Sequence, residues 1–259
     1  MREELPNFTI AQLAVYASGS PIAVLAALAN DDRFQGTVLV DTIEPFLFRR
    51  FWNDQRAQAE CNSGPLEYSE AWMSAEVRDH LAIRTAETGI KAVFKHFVTT
   101  GAILVPLKIR MCADRSLEFD YEGLPGLEKF KNEKLQLATM QYEESIPATL
   151  EEFDAAIDVV EGYVRAIRTR GGHVVFLRMP SSGGRRELED KYHPKDKYWH
   201  RLVAATTGVC IHSDDLPGLR GVACPDDSHL DYRDAITLTH ALIEELLRRN
   251  VIQKERLMR

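Results

Sequence analysis

Two hydrophobic periods alternate along this chain, and together they lay out its elements. Residues 10–17 (IAQLAVYA) are apolar almost throughout, the pattern of a strand covered on both faces. Ser18-Gly19-Ser20-Pro21 follows with turn and helix-start chemistry. Ser20 is placed to cap the first amides, and Pro21 suits the first helical position. Residues 22–29 then predict a helix closed by Asn30-Asp31-Asp32, and residues 37–41, introduced by Gly36, predict a second short strand. Such a strand–helix–strand unit implies a parallel pair with a right-handed connection.

The last third repeats the alternation. Leu150, Phe153, Ile157, Val160, Val164 and Ile167 recur at helical spacing, which predicts an amphipathic helix over 150–169 ended by Gly171-Gly172. Residues 173–179 (HVVFLRM) form a β-branched, apolar strand stopped by Pro180, and a polar loop is expected after it. A helix around 196–207 stops at Gly208, and residues 209–212 supply another short strand. A final helix over 232–250 carries Ala235, Leu238, Leu242 and Leu246 on one face, with Asp231 as its cap. Alternation of this kind predicts an α/β domain with a mainly parallel sheet. The middle is less regular. Residues 68–97 read as one or two helices, 103–109 as an apolar run broken by Pro106, and 114–126 as a loop or small hairpin. Residues 52–149 are therefore taken as an insertion or cap on a single domain spanning 1–259.

Composition narrows the function classes. The chain has 259 residues with 45% hydrophobic and 27% charged positions, so a sizeable core can be buried. With 32 Lys plus Arg against 39 Asp plus Glu, the net charge is −7. An acidic chain has no general attraction for phosphate backbones, so no nucleic-acid partner is expected. The cysteines at 61, 112, 210 and 224 form no CxxC pair and no zinc spacing, so they read as free thiols with no metal site. The apolar run at 22–29 is too short to span a bilayer, and the opening Met-Arg-Glu-Glu lacks the features of a secretory signal. A cytoplasmic chain without a cofactor is the expectation.

In open parallel sheets, active groups collect at the carboxyl ends of the strands. Pro225-Asp226-Asp227-Ser228-His229-Leu230, just before the last helix, is the most informative such segment. Asp226 and His229 are three apart in a loop, so one turn brings carboxylate and imidazole together. A carboxylate on one ring nitrogen fixes the tautomer and stabilises the imidazolium, leaving the other nitrogen to take a proton from a nucleophile. Asp-rich loops before helices also occur simply as caps. Arg178, at a strand end, could hold a substrate anion or could pair with Asp226 or Glu44. Ser181-Ser182-Gly183-Gly184 lacks the lysine of a phosphate-binding loop and reads as a connector, while Tyr192, Tyr198 and Trp199 suit either a cleft wall or helix packing.

The order of these parts resembles the SGNH (GDSL-like) hydrolases: a Gly-containing turn in Ala17-Ser18-Gly19-Ser20-Pro21, the strand 174–180, and Asp-x-x-His before the C-terminal helix. The resemblance covers residues 10–41 and 150–250. It implies a flavodoxin-like three-layer sandwich and a serine esterase or carbohydrate O-acyl (acetyl) hydrolase acting on a small-molecule or carbohydrate ester. Carried over, His229 is the general base, Asp226 its orienting carboxylate, and Gly19 an oxyanion donor through its amide, with Ser20 and Arg178 beside the substrate. Two departures stand out. The family's opening block with its nucleophilic serine does not occur in the chain, and Asp41-Thr42-Ile43-Glu44 stands where the family has Gly-x-Asn-Asp. Two acids there repel a developing oxyanion unless one is protonated or turned away. Three accounts of the nucleophile stay open: it is encoded before Met1, Ser18 or Ser20 replaces it, or the chain is a non-catalytic binding or scaffold protein that kept the fold. A sheet lacking an internal first strand exposes backbone donors and apolar surface, so an oligomeric or poorly soluble chain is the expectation.

Overall fold

The computed structural model describes residues 20–52, 108–111, 117–144, 149–219 and 221–253, together with 5, 7–10, 13 and 98. Three strands, β1 (Thr37–Asp41), β4 (His173–Arg178) and β5 (Val209–His212), form a parallel sheet in the order β1-β4-β5. Thr37 pairs with His173 and Asp41 with Leu177, and Val175 pairs with Val209 and Arg178 with His212. A separate antiparallel hairpin joins β2 (Lys108–Met111) to β3 (Leu117–Asp120). The helices are α1 (Ile22–Asn30), α2 (Leu127–Glu144), α3 (Leu150–Thr169), α4 (Gly183–Tyr192), α5 (Trp199–Ala205) and α6 (Tyr232–Arg248).

The alternation within β4 decides how the layers assemble. Val174 and Phe176 point to one face, where they meet Ile22 and Leu25 of α1, Ile157, Val160 and Val164 of α3, and Leu202 of α5. Val175 and Leu177 point to the other face and meet Ile211 with Leu238, Leu242 and Leu246 of α6. A strand buried on both sides reads as an unbroken apolar run, and this one does. It shows the α/β class directly: a small parallel sheet with helices on both faces.

Polar anchors hold these layers in register. Thr149 caps α3 by accepting the Glu152 amide at 3.2 Å, and Glu152 returns the bond to the Thr149 amide at 3.0 Å. At the far end of α3, Arg170 Nη2 donates to the Leu28 and Ala29 carbonyls, each at 3.1 Å, and its Nε donates to Phe34 O at 3.1 Å. The last carbonyls of α1 are thereby satisfied by a cation, which also suits the negative end of the helix dipole. Glu161 ties α3 to the turn before β5, accepting the Thr207 amide at 2.8 Å and the Thr206 hydroxyl at 2.9 Å.

Several elements match the expectations drawn from periodicity, with α3, β1 and β5 at the bounds anticipated. Two segments differ. The polar stretch after Pro180, anticipated as a loop, turns into α4, whose Leu188 packs with Ala138 and Tyr142 of α2. The helix anticipated around 196–207 is shorter, running from Trp199 to Ala205. Tyr198 and Trp199 pack inward, Tyr198 against Phe153 at 5.0 Å between ring centroids and Trp199 against His212 at 5.3 Å. Most of residues 10–17, all of 68–97 and most of 103–109 lie outside the described residues, as do Cys61 and Cys112; Cys210 and Cys224 are free thiols. Among the described residues no helix is long and apolar enough to cross a membrane.

Phe176, fully buried at the middle of the central strand, is the position where the packing is most exposed to test. Phe176→Ala is expected to lower the unfolding free energy by about 3–5 kcal/mol, read by denaturant titration.

Candidate active site

Asp41, Arg178, Asp226 and His229 come from segments that leave the carboxyl ends of strands. Asp41 closes β1, Arg178 closes β4, and the 213–231 segment that follows β5 carries Asp226 and His229. The loop after β5 turns sharply because Asp227 adopts a left-handed conformation (φ 67°). Its carboxylate accepts the Gly184 amide at 3.1 Å at the N-terminus of α4, and its carbonyl accepts the Ser182 amide at 3.0 Å. Ser182 Oγ in turn donates to Cys224 O and accepts from Cys224 N, both at 3.1 Å. The 180s segment and the 220s segment are thus laced together, and that lacing places the turn holding the acid–base pair.

Asp226 and His229 meet as their spacing anticipates. His229 Nδ1 lies 3.0 Å from Asp226 Oδ2, while Asp226 Oδ1 accepts the His229 amide at 2.7 Å and the Ser228 amide at 3.0 Å. The Asp226 side chain has no exposed surface, whereas that of His229 is 39% exposed. Burial works to raise the Asp226 carboxyl, but the bonds from the His229 ring, from its amide and from the Ser228 amide prevail and hold it well below the usual carboxylate range. An ionised carboxylate facing Nδ1 assigns the ring hydrogen to that nitrogen and leaves Nε2 as the acceptor. Ser228 Oγ also approaches Nδ1 at 3.1 Å. Among the described residues nothing hydrogen-bonds Nε2.

The β2–β3 hairpin and α2 contribute contacts that no motif announced. Phe119 of β3 stacks on the His229 ring with centroids 4.8 Å apart and planes 21° from parallel. Tyr121, two residues on and on the same side of the strand, stacks on Phe119 at 6.2 Å. The Tyr121 hydroxyl is buried near the Asp226 carboxylate without reaching hydrogen-bond geometry, and burial followed by that negative charge pushes its phenol up. From α2, Lys134 Nζ lies 3.3 Å from Asp226 Oδ2 and Lys131 Nζ lies 3.2 Å from Asp227 Oδ1. Lysines three apart share a helix face, and aromatics two apart share a strand face. Those spacings were available in the sequence, but nothing said what the faces would meet.

The remaining candidates fall elsewhere. Arg178 is buried and engaged: its Nη2 donates to Glu189 Oε2 at 2.6 Å, its Nε reaches Glu44 Oε2 at 3.3 Å, and its Nη1 donates to Met179 O at 3.0 Å. The shorter bond goes with the stronger effect. Glu189 is held below the usual range against burial, whereas burial raises Glu44 despite Arg178. Asp226 is not among the partners of Arg178, and the guanidinium serves the two acids rather than an open anion site. Ser20 is fully buried, with its hydroxyl donating to Phe46 O at 2.5 Å and accepting the Ile22 amide at 3.3 Å, while Pro21 takes the N-cap position of α1. Gly19 and Ser18 lie outside the described residues. Among the described residues no cluster of His, Cys, Asp and Glu could hold a metal ion.

The acids at 41 and 44 behave differently. Glu44 is turned onto Arg178. Asp41 keeps one side open to solvent, yet the crowding of protein around it pushes its carboxyl up to about 6, with Arg178 and His229 pulling the other way. Glu44 is thus paired with Arg178, and Asp41 holds its proton to higher pH than an ordinary aspartate. Compared with protein-family models, with curated proteins and with solved structures, the chain matches none of them.

Two outcomes follow from this geometry. At Gly183 φ is +50°, and an added Cβ would stand 2.5 Å from Asp227 Oδ1, so Gly183→Ala should cost about 1–3 kcal/mol in a denaturant melt. Because the folded state holds the Asp41 proton more tightly than the unfolded chain, stability falls as pH rises from near 4 through about 6. Asp41→Asn is therefore expected to raise the melting temperature at pH 8 and to leave it nearly unchanged at pH 4.

Proposed function

We propose that this chain is an SGNH-like serine hydrolase domain that cleaves a carboxylic ester, such as a carbohydrate O-acyl group, with His229 as general base and Asp226 as its orienting carboxylate. The observation that carries this is the 3.0 Å contact between His229 Nδ1 and the fully buried Asp226 carboxylate, at the carboxyl edge of a parallel sheet. In the acylation step, Nε2 takes the proton of a hydroxyl as its oxygen attacks the ester carbonyl, and then returns that proton to the departing alcohol. Further support comes from strand order. A flavodoxin-like sheet runs 2-1-3-4-5, and β1-β4-β5 with helices on both faces is the arrangement its last three strands would present. In that assignment, the strand bearing the nucleophile lies beyond β1.

A second reading has an observation of its own. Ser20 is locked onto Phe46, and among the described residues no hydroxyl or thiol approaches Nε2, as would hold for a relative that keeps the cleft as a binding site.

Hydrolysis of p-nitrophenyl acetate separates the two. A hydrolase should turn the ester over and lose at least about 100-fold in kcat/KM on His229→Ala. Equal rates in the two proteins, or turnover in neither even after the sequence encoded before Met1 is added, would favour the binding protein.

A further inference from the structure

We infer that Lys134 is a positioning residue of the Asp226–His229 pair, a second cation on the same carboxylate oxygen that holds Asp226 ionised while the imidazole is neutral and tempers the basicity of the ring. The inference rests on the assignment of His229 as a base, but its test does not.

The Asp226 carboxylate has no solvent to stabilise it, and one neutral imidazole with two amides leaves its charge without a counterion. An unpaired buried charge is costly, and the ammonium of Lys134 supplies the missing counterion. Lys134 arrives from α2, an element of the cap rather than of the sheet, and its side chain is about one-third exposed, so it bridges solvent and the buried oxygen. Its Nζ lies 3.3 Å and His229 Nδ1 lies 3.0 Å from the same Oδ2, so the two nitrogens stand within about 6 Å of each other. Once the ring gains a proton, both are cations competing for one oxygen. The attraction between imidazolium and Asp226 is then offset in part by repulsion from Lys134.

The other groups facing the ring do not duplicate this effect. Asp41 at the end of β1 favours the imidazolium from the sheet side, Phe119 of β3 covers one ring face without charge, and Ser228 offers a hydroxyl at Nδ1. Tyr121 lies toward the Asp226 carboxylate as a neutral phenol. Among the described residues Lys134 is the one cation paired with Asp226 other than His229 itself. Lys131, one turn away, binds Asp227 instead.

Carbethoxylation by diethyl pyrocarbonate reads the imidazole directly, because only the unprotonated ring reacts. The His229 peptide is quantified by mass spectrometry across about pH 5 to pH 8. In Lys134→Met the acid limb of the labelling profile should move to higher pH by on the order of one unit. Lys134→Arg should restore the limb to its original place, and Lys131→Met should move it by much less. Lys134→Gln drops the charge but keeps a donor, one bond shorter, and should move it as Met does even where Met impairs folding. A Gln or Met profile that overlays that of the unsubstituted protein would overturn the inference, as would a Lys131→Met shift of equal size. Labelling needs no ester turnover, so a chain that hydrolyses nothing fails the proposed function without touching this result.

Discussion

A carboxylate with no exposed surface must find its donors inside the protein, and Asp226 draws them from two distant stretches of chain. Two amides come from its own turn, a ring nitrogen comes from His229, and an ammonium comes from α2. Much of the local architecture serves that demand. The left-handed turn at Asp227 aims the Ser228 and His229 amides back at Oδ1, and the Ser182–Cys224 exchange holds the turn against the 180s segment. The charge is stabilised because the backbone and α2 converge on it, and the imidazole is oriented as a consequence.

The sheet sets the stage through a different constraint. Because β4 is buried on both faces, its alternate residues commit α1, α3 and α5 to one side and α6 to the other. Strand ends then fall along one edge, which brings Asp41, Arg178 and the Asp226 turn into a single neighbourhood although they lie far apart in sequence. Arg178 and its two acids lie buried behind that edge. A guanidinium can serve two carboxylates through separate nitrogens, which a lysine's single ammonium does less well.

Legibility in the sequence followed the strength of the local signal. Leu150, Phe153, Ile157, Val160, Val164 and Ile167 repeat at helical spacing with Gly171-Gly172 after them, so α3 could be bounded to the residue. The Asp226–His229 contact was equally legible, being confined to one turn. By contrast, α4 carries no helical signature, because Gly183-Gly184-Arg185-Arg186 is polar and glycine-rich, and its stability comes from packing of Leu188 on α2 and from Asp227 at its first amides. Lys134 and Phe119 were illegible for a related reason: their meaning depends on contacts about 90 to 110 residues away in sequence, which no period encodes. Arg178 stands out as a cation after an apolar strand, but only the fold could choose between an anion site and the Glu44–Glu189 pair.

Gly183 and Asp227 both occupy left-handed backbone and sit face to face, one able to do so for want of a side chain and the other filling the gap with its carboxylate. Interlocked in this way, the rim segments after two neighbouring strands form a single mechanical piece. A displacement that begins at Ser182 drags the carbonyl of Cys224 with it, and the imidazole three residues beyond Asp226 travels as the passenger of that piece rather than as an independent side chain.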